Sequence, residues 1–184
     1  MYLLEPTYFF KQITDIQTDF LLDIGYHGLI LDIDDTLAPQ EFPTPTEDVL
    51  TWIYNLKKSE IKLVLASNNS EKRVSEFAKI LDVPHVYEAK KPFRKGLRKA
   101  IDILSLPKEN ILMIGDQIFS DILGAKFTKI NSALVEPLSP AKSFSLKVRR
   151  RLESPIRKKL LLKGSKITNL EYAPSRQGMV LNEK

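Results

Sequence analysis

The chain reads as an α/β protein built on a five-stranded parallel sheet flanked by helices, and three observations predict this. Short, almost continuous apolar runs alternate with segments of helical spacing along most of the sequence. The runs are rich in Val, Ile and Leu, as strands covered on both faces must be. Polar and charged residues cluster directly after the runs, at the strand ends where open parallel sheets bind their ligands.

The strand-like runs are residues 28–33, 61–66, 83–87, 110–114 and 129–135. Between them, apolar residues recur three or four apart: Val49, Ile53 and Leu56; Val74, Phe77 and Leu81; Leu97, Ile101 and Leu104; Ile118, Ile122 and Ala125. Each set puts one apolar stripe on a helix that can pack on the sheet. Ahead of the first run, Phe9, Phe10, Ile13 and Ile16, then Phe20, Leu21 and Leu22, predict a helix packed on or beside the core. Residues 145–163 predict another helix, which Pro155 should break or restart, because proline lacks the N–H and clashes with the preceding turn. Beyond Gly164 the periodicity ends, so residues 165–184 read as loose. Trp52 and nearby Tyr54 are assigned to helix-to-sheet packing, and His27 and His85, outside every motif, to structural roles.

A chain of 184 residues with 43% apolar content suits one compact domain, expected over residues 1–140, followed by a basic helical tail over 141–184. The net charge of +5 is unevenly placed. Residues 142–166 hold ten Lys or Arg against a single acid, Glu153, a local charge of +9 that leaves about −4 for the rest. The absence of cysteine excludes disulfides, thiolate metal sites and thiol nucleophiles. With two histidines, a zinc cluster is disfavoured and a hard cation held by carboxylates, Mg²⁺, is expected. There is no run of about 18 apolar residues and no basic-then-apolar leader, so the protein is expected to stay in its compartment of synthesis, cytoplasmic or the organellar equivalent.

The first apolar run ends in Asp32, Asp34, Asp35 and Thr36. Massing carboxylates at a strand mouth costs mutual repulsion unless a cation lies among them or one stays protonated. The second run ends in Ser67-Asn68-Asn69, where a hydroxyl and the amides of the following helix can hold a phosphate, although an ordinary helix cap has the same composition. The third is followed by Lys90-Lys91-Pro92, a lysine positioned to neutralise an anion or simply a solvated pair. The fourth ends in Gly115-Asp116-Gln117 with Ser120-Asp121 beyond, where Gly115 permits close backbone approach.

Taken in order, Asp-x-Asp-x-Thr, Ser-Asn, Lys-Pro and Gly-Asp-x-x-x-x-Asp resemble the haloacid dehalogenase superfamily, over residues 28–135. The resemblance implies its Rossmann-like fold. It makes Asp32 the nucleophile that forms an aspartyl-phosphate and Asp34 the acid and base. Mg²⁺ would be held by Asp32, the Asp34 carbonyl and Asp116. Thr36 would orient the motif, while Ser67, with Asn68 and neighbouring amides, would bind the phosphoryl group, for which Thr36 is also a candidate. Lys91 would offset charge, Asp121 would support metal or lysine, Lys90 is the less favoured lysine, and Asp35 reads as a bystander. An acid two residues after the nucleophile favours phosphoryl transfer over dehalogenation. The gaps between motifs leave no room for a large cap domain, so the site should be open.

Gly-Asp-Gln, Ser-Asn-Asn and Lys-Lys-Pro, with the Pro-Thr-Tyr start, are similar to the IIIA subgroup of YqeG-like proteins and phosphatidylglycerophosphate phosphatases over most of residues 5–137. This implies a phospholipid substrate and a peripheral location on an anionic membrane, which the basic segment 142–166 would contact. The same helix could instead pack on the core by its leucines. With Phe144 its one aromatic, nucleic acid is disfavoured. The alternatives are a soluble phosphatase of sugar phosphates, nucleotides or nucleic acid ends, and a protein that binds RNA or a partner through the tail. The sequence leaves the oligomeric state open.

Overall fold

The computed structural model describes residues 3–167 and 179–180, with side chains described through residue 162. Its sheet contains six parallel strands in the order β4 (His85–Val86), β3 (Lys62–Ala66), β2 (Gly28–Leu31), β5 (Ile111–Gly115), β6 (Asn131–Val135) and β1 (Tyr8–Phe10). A two-residue strand, β7 (Met179–Val180), adds antiparallel to β1 at the edge. The helices are α1 (Thr18–Ile24), α2 (Glu47–Lys58), α3 (Glu71–Leu81), α4 (Arg94–Leu104), α5 (Leu123–Thr128) and α6 (Phe144–Ile167).

The expectation of five parallel strands is corrected by β1. Tyr8, Phe9 and Phe10 pair with Ala133, Leu134 and Val135 and are all buried. Three consecutive aromatics fit a strand covered on both faces. The single helix expected before Gly28 is corrected with it: the chain passes from β1 through a 3₁₀ turn at Ile13–Asp15 into the seven-residue α1. Phe9, Phe10, Ile13 and Ile16 carry helix-like spacing because successive short elements each bury an apolar residue.

One sheet face packs α2 and α3 through Val49, Trp52, Ile53, Leu56, Val74 and Phe77, and the other packs α4 through Leu97, Ala100 and Ile101. Trp52 Nε1 donates to the Ile16 carbonyl at 2.7 Å, so its ring is core and its one donor is satisfied. Thr46 caps α2, whose first turn carries Glu47 and Asp48 and whose last carries Lys57 and Lys58, matching the helix dipole at both ends.

The break expected at Pro155 is also corrected, since α6 runs through it. Contacts on both sides of the proline hold the helix. Leu146, Glu153 and Leu160 are buried against the body, and Glu153 accepts from the Phe119 N–H at 3.1 Å. Tertiary packing thus overrides a penalty of about 3 kcal/mol for an interior proline. Of the tail expected to be loose, residues 165–167 complete α6, while 168–178 and 181–184 lie outside the described residues. No helix among the described residues is long and apolar enough to cross a membrane.

Candidate active site

The four motifs converge at the C-terminal ends of β2, β3, β4 and β5. Asp32 follows β2 directly and its N–H donates to the Ile114 carbonyl, extending the pairing with β5 by one residue. The Lys91 ammonium lies between two carboxylates, 2.7 Å from Asp32 Oδ1 and 2.8 Å from Asp121 Oδ1. All three side chains are essentially excluded from solvent. A buried charge survives only when paired, and here one cation serves two anions, leaving net negative charge in the pocket.

Local structure positions each member. The Lys91 backbone is clamped by Asn68, which accepts from the Lys91 N–H at 2.7 Å and donates to its carbonyl at 3.1 Å. Lys91 also precedes a cis proline, Pro92. Asp121 sits in a single π-helical turn, Ile118–Ile122, a local winding often found at functional sites. Its Oδ2 accepts from the Gln117 N–H at 3.0 Å. Gly115 makes this approach possible, because a Cβ there would lie 2.3 Å from Asp121 Oδ2.

One carboxylate oxygen each from Asp32, Asp116 and Asp121 lie within 4.8 Å of one another. Asp116 Oδ1 is buried and has no hydrogen-bond partner among the described residues. An orphaned, buried anionic acceptor beside two other carboxylates is the donor set a hard divalent cation takes. Both Asp121 oxygens are engaged by Lys91 and Gln117, so Asp32 and Asp116 have the freer lone pairs. Burial, with repulsion from Asp121 and Asp32, holds the Asp116 carboxyl well above its usual range. Burial also pushes Asp32 up to about 7 against the pull of Lys91. Burial would lower the Lys91 ammonium, but Asp121 and Asp32 outweigh it and raise it.

The Asp34 carboxylate points to the opposite wall, where Arg73 Nη2 donates to Oδ1 at 3.1 Å and Asn69 Nδ2 donates to Oδ2. Burial raises its pKa while Arg73 and Asn69 oppose the rise. The Ser67 hydroxyl accepts from the Asn69 N–H at 3.2 Å and lines the cleft. Thr36 is buried, and its Oγ1 has no partner among the described residues. Of the residues expected at the site, Asp32, Asp34, Ser67, Asn68 and Lys91 line one cleft of about 160 Å³. Asp116 and Asp121 lie beneath it, and Lys90 is exposed.

Several participants were not legible as site residues. Asp35, read as a bystander, is buried and anchors α6: Arg150 Nη2 reaches its Oδ2 at 2.8 Å and Asp116 Oδ2 at 3.5 Å. Arg157 of the same helix donates to the Asp116 carbonyl and pairs with Glu136 at 3.4 Å. Ser143, Ser145 and Arg149 line the cleft mouth with Gln40. The basic segment therefore contributes to the site with its inner face, which its composition alone did not reveal.

A parallel sheet that brings a strand-end aspartate pair, a doubly paired buried lysine and a carboxylate cluster able to hold a divalent cation to one cleft has the layout of an α/β-class hydrolase. The chain belongs to the haloacid dehalogenase-like hydrolase family, whose model matches residues 5–127. Over 159 residues it is 33% identical to the "Probable phosphatase YqeG" of Bacillus subtilis (strain 168), covering 86% of this chain and 92% of that protein. A thermostable NPPase single mutant from Geobacillus stearothermophilus superposes with a TM-score of 0.52 at 12% identity, over 65% of this chain and 92% of that one. A haloacid dehalogenase-like protein from Bacteroides fragilis gives 0.51 at 17% identity, over 66% and 93%. These two similarities concern the fold alone.

Proposed function

We propose that the protein is a Mg²⁺-dependent phosphomonoester hydrolase that works through an aspartyl-phosphate on Asp32 and acts on phosphatidylglycerol phosphate at a membrane surface. The observation that carries the chemistry is the Lys91 clamp: it engages Oδ1 of Asp32, a residue lining the cleft, and so assigns the attack to the other oxygen, Oδ2. That oxygen attacks phosphorus as the bond to the leaving alkoxide breaks, and the alkoxide takes its proton from Asp34. Burial raises Asp34, which suits a group that must carry a proton into the first step. In the second step water attacks phosphorus and gives its proton to Asp34. Asp32 departs with its electron pair, releasing inorganic phosphate. Ser67, with the amides at the start of α3, holds the phosphoryl oxygens, and Lys91 balances the charge on Asp32. Mg²⁺, held by Asp32, Asp116 and the Asp34 carbonyl, would keep the carboxylates ionised and withdraw charge from the phosphoryl group.

The lipid substrate is supported by the shape of the mouth and by α6. A cleft of about 160 Å³ accepts a phosphoryl group, and the rest of the substrate must project outwards. On α6, Phe144, Val148 and Leu152 recur every four residues and are 83%, 43% and 60% exposed. Exposed Lys147, Arg151 and Lys158 flank them, while Leu146, Glu153 and Leu160 face the body. An outward apolar stripe edged by cations suits an anionic leaflet, where each basic residue is worth about 1 kcal/mol. Similarity to the "Probable phosphatase YqeG" agrees with the phosphatase chemistry.

The test is Mg²⁺-dependent phosphate release from phosphatidylglycerol phosphate in mixed micelles, beside sugar phosphates, nucleotides and 5′-phosphorylated oligonucleotides, with Asp32→Asn as control. A strong preference for the lipid is expected. Faster turnover of soluble esters would overturn the lipid assignment, and equal release by Asp32→Asn would overturn the chemistry.

A further inference from the structure

We infer that Arg149 determines specificity by binding a second anionic group of the substrate, so that the site selects phosphomonoesters bearing a phosphodiester or second phosphate near the scissile ester. This rests on the phosphomonoesterase reading above and names the substrate class within it.

The charges around the cleft single out this residue. Lys91 meets Asp32 and Asp121, and Arg73 meets Asp34. Arg150 meets Asp35 and Asp116, and Arg157 meets Glu136 and Glu153. Arg149 donates instead to a neutral acceptor, the Gln117 side-chain carbonyl. Among the described residues, it is the cation lining the cleft that faces no carboxylate.

Its surroundings suit an anion. The same cleft is lined by Gln40, Ser143 and Ser145, neutral groups with N–H and O–H donors, and the acids that line it, Asp32, Asp34 and Asp35, are each already paired with another cation, Lys91, Arg73 and Arg150. Gln117 is the residue after Asp116, so the bond from Arg149 ties the guanidinium to the loop bearing the cation-site carboxylate. Arg149 is half-buried, which protects a substrate contact from full screening by salt. A guanidinium keeps further donors in a planar fork after one is used, and that fork matches two phosphate oxygens. A helix that merely covered the sheet would not need an unneutralised charge here, because Arg150 and Arg157 already fasten α6.

The experiment uses the full chain with Mg²⁺ and two soluble esters: glycerol 3-phosphate, and glycerophosphoglycerol phosphate, which adds a phosphodiester. The readout is the ratio of their kcat/KM values. The wild type is expected to favour the diester-bearing ester. Arg149→Gln should cut that ratio roughly tenfold, chiefly through KM, the loss expected for one charge-assisted hydrogen bond. Arg149→Lys should restore part of it. Calorimetry with glycerophosphoglycerol, which has no monoester to cleave, should show roughly tenfold weaker binding to Arg149→Gln. An unchanged ratio, or equal losses on both esters, would overturn the assignment. So would equal binding of glycerophosphoglycerol to wild type and variant. If the wild type releases phosphate from neither ester, the phosphatase reading falls, and the calorimetric comparison still decides the role of Arg149.

Discussion

Gly115→Ala is a one-methyl perturbation aimed at the Lys91 clamp. A Cβ at residue 115 would stand 2.3 Å from Asp121 Oδ2, 2.4 Å from its Cγ and 2.7 Å from its Cβ. Carbon contacts settle near 3.5–4.0 Å, so Asp121 must retreat by about 1 Å. It is fully buried, and close-packed interiors resist such a shift. Its bonds to Lys91 at 2.8 Å and to the Gln117 N–H at 3.0 Å would both fail. Overpacking and a half-unpaired buried lysine together should cost about 3 kcal/mol. Displacing the clamp should lower turnover about 100-fold. Urea unfolding at pH 7 measures the first effect, and initial rates of phosphate release measure the second. Asp121→Ala removes the two closest contacts, at 2.3 and 2.4 Å, so Gly115→Ala should cost much less in that background. Additivity in this cycle, or a single variant within about 0.5 kcal/mol of wild type, would refute the reasoning.

Three further outcomes follow from the same geometry. Asp32, pushed up to about 7, and Asp116, held well above its usual range, bind protons more tightly folded than unfolded. Metal-free stability should therefore fall as pH rises from about 4 through 7, and Mg²⁺ should raise the melting temperature more at pH 8 than at pH 5; equal shifts would contradict this. Arg150→Ala strands two buried carboxylates, Asp35 and Asp116, and should cost about 3 kcal/mol while exposing α6 to limited proteolysis; an unchanged melt would remove its anchoring role. Val148→Glu with Leu152→Glu changes only the outward face of α6 and should cut co-sedimentation with anionic vesicles at least about tenfold at an unchanged melting temperature. Retained sedimentation would show that α6 is not the docking face.

The central strands and the acids after them were legible because a buried parallel strand needs an unbroken apolar run and a sudden polar end, as in residues 28–36 and 110–116. Tyr8–Phe10 was not, since three aromatics followed by Ile13 and Ile16 satisfy a helical template equally well, and only the partner strand β6 decides between them. At the site, Asp32, Lys91, Asp116 and Asp121 could be named because each belongs to a motif beside a strand. Arg150 and Arg157 could not. Their partners lie 115 and 41 residues away, and a basic helix has the same composition whether its arginines face solvent or a buried carboxylate. Pro155 misled for a related reason: its local penalty is certain, but the buried Leu146, Glu153 and Leu160 that outweigh it are tertiary.

The most direct measurement of the central claim is rapid acid quench of Asp34→Asn with p-nitrophenyl phosphate and Mg²⁺. This leaving group departs without a proton donor, while hydrolysis of the phosphoenzyme still requires the missing base. The account predicts a burst of about one nitrophenolate per chain, with the phosphoryl group recovered on the peptide containing Asp32. Linear release without a burst, or a phosphoryl group recovered on any other residue, would contradict it.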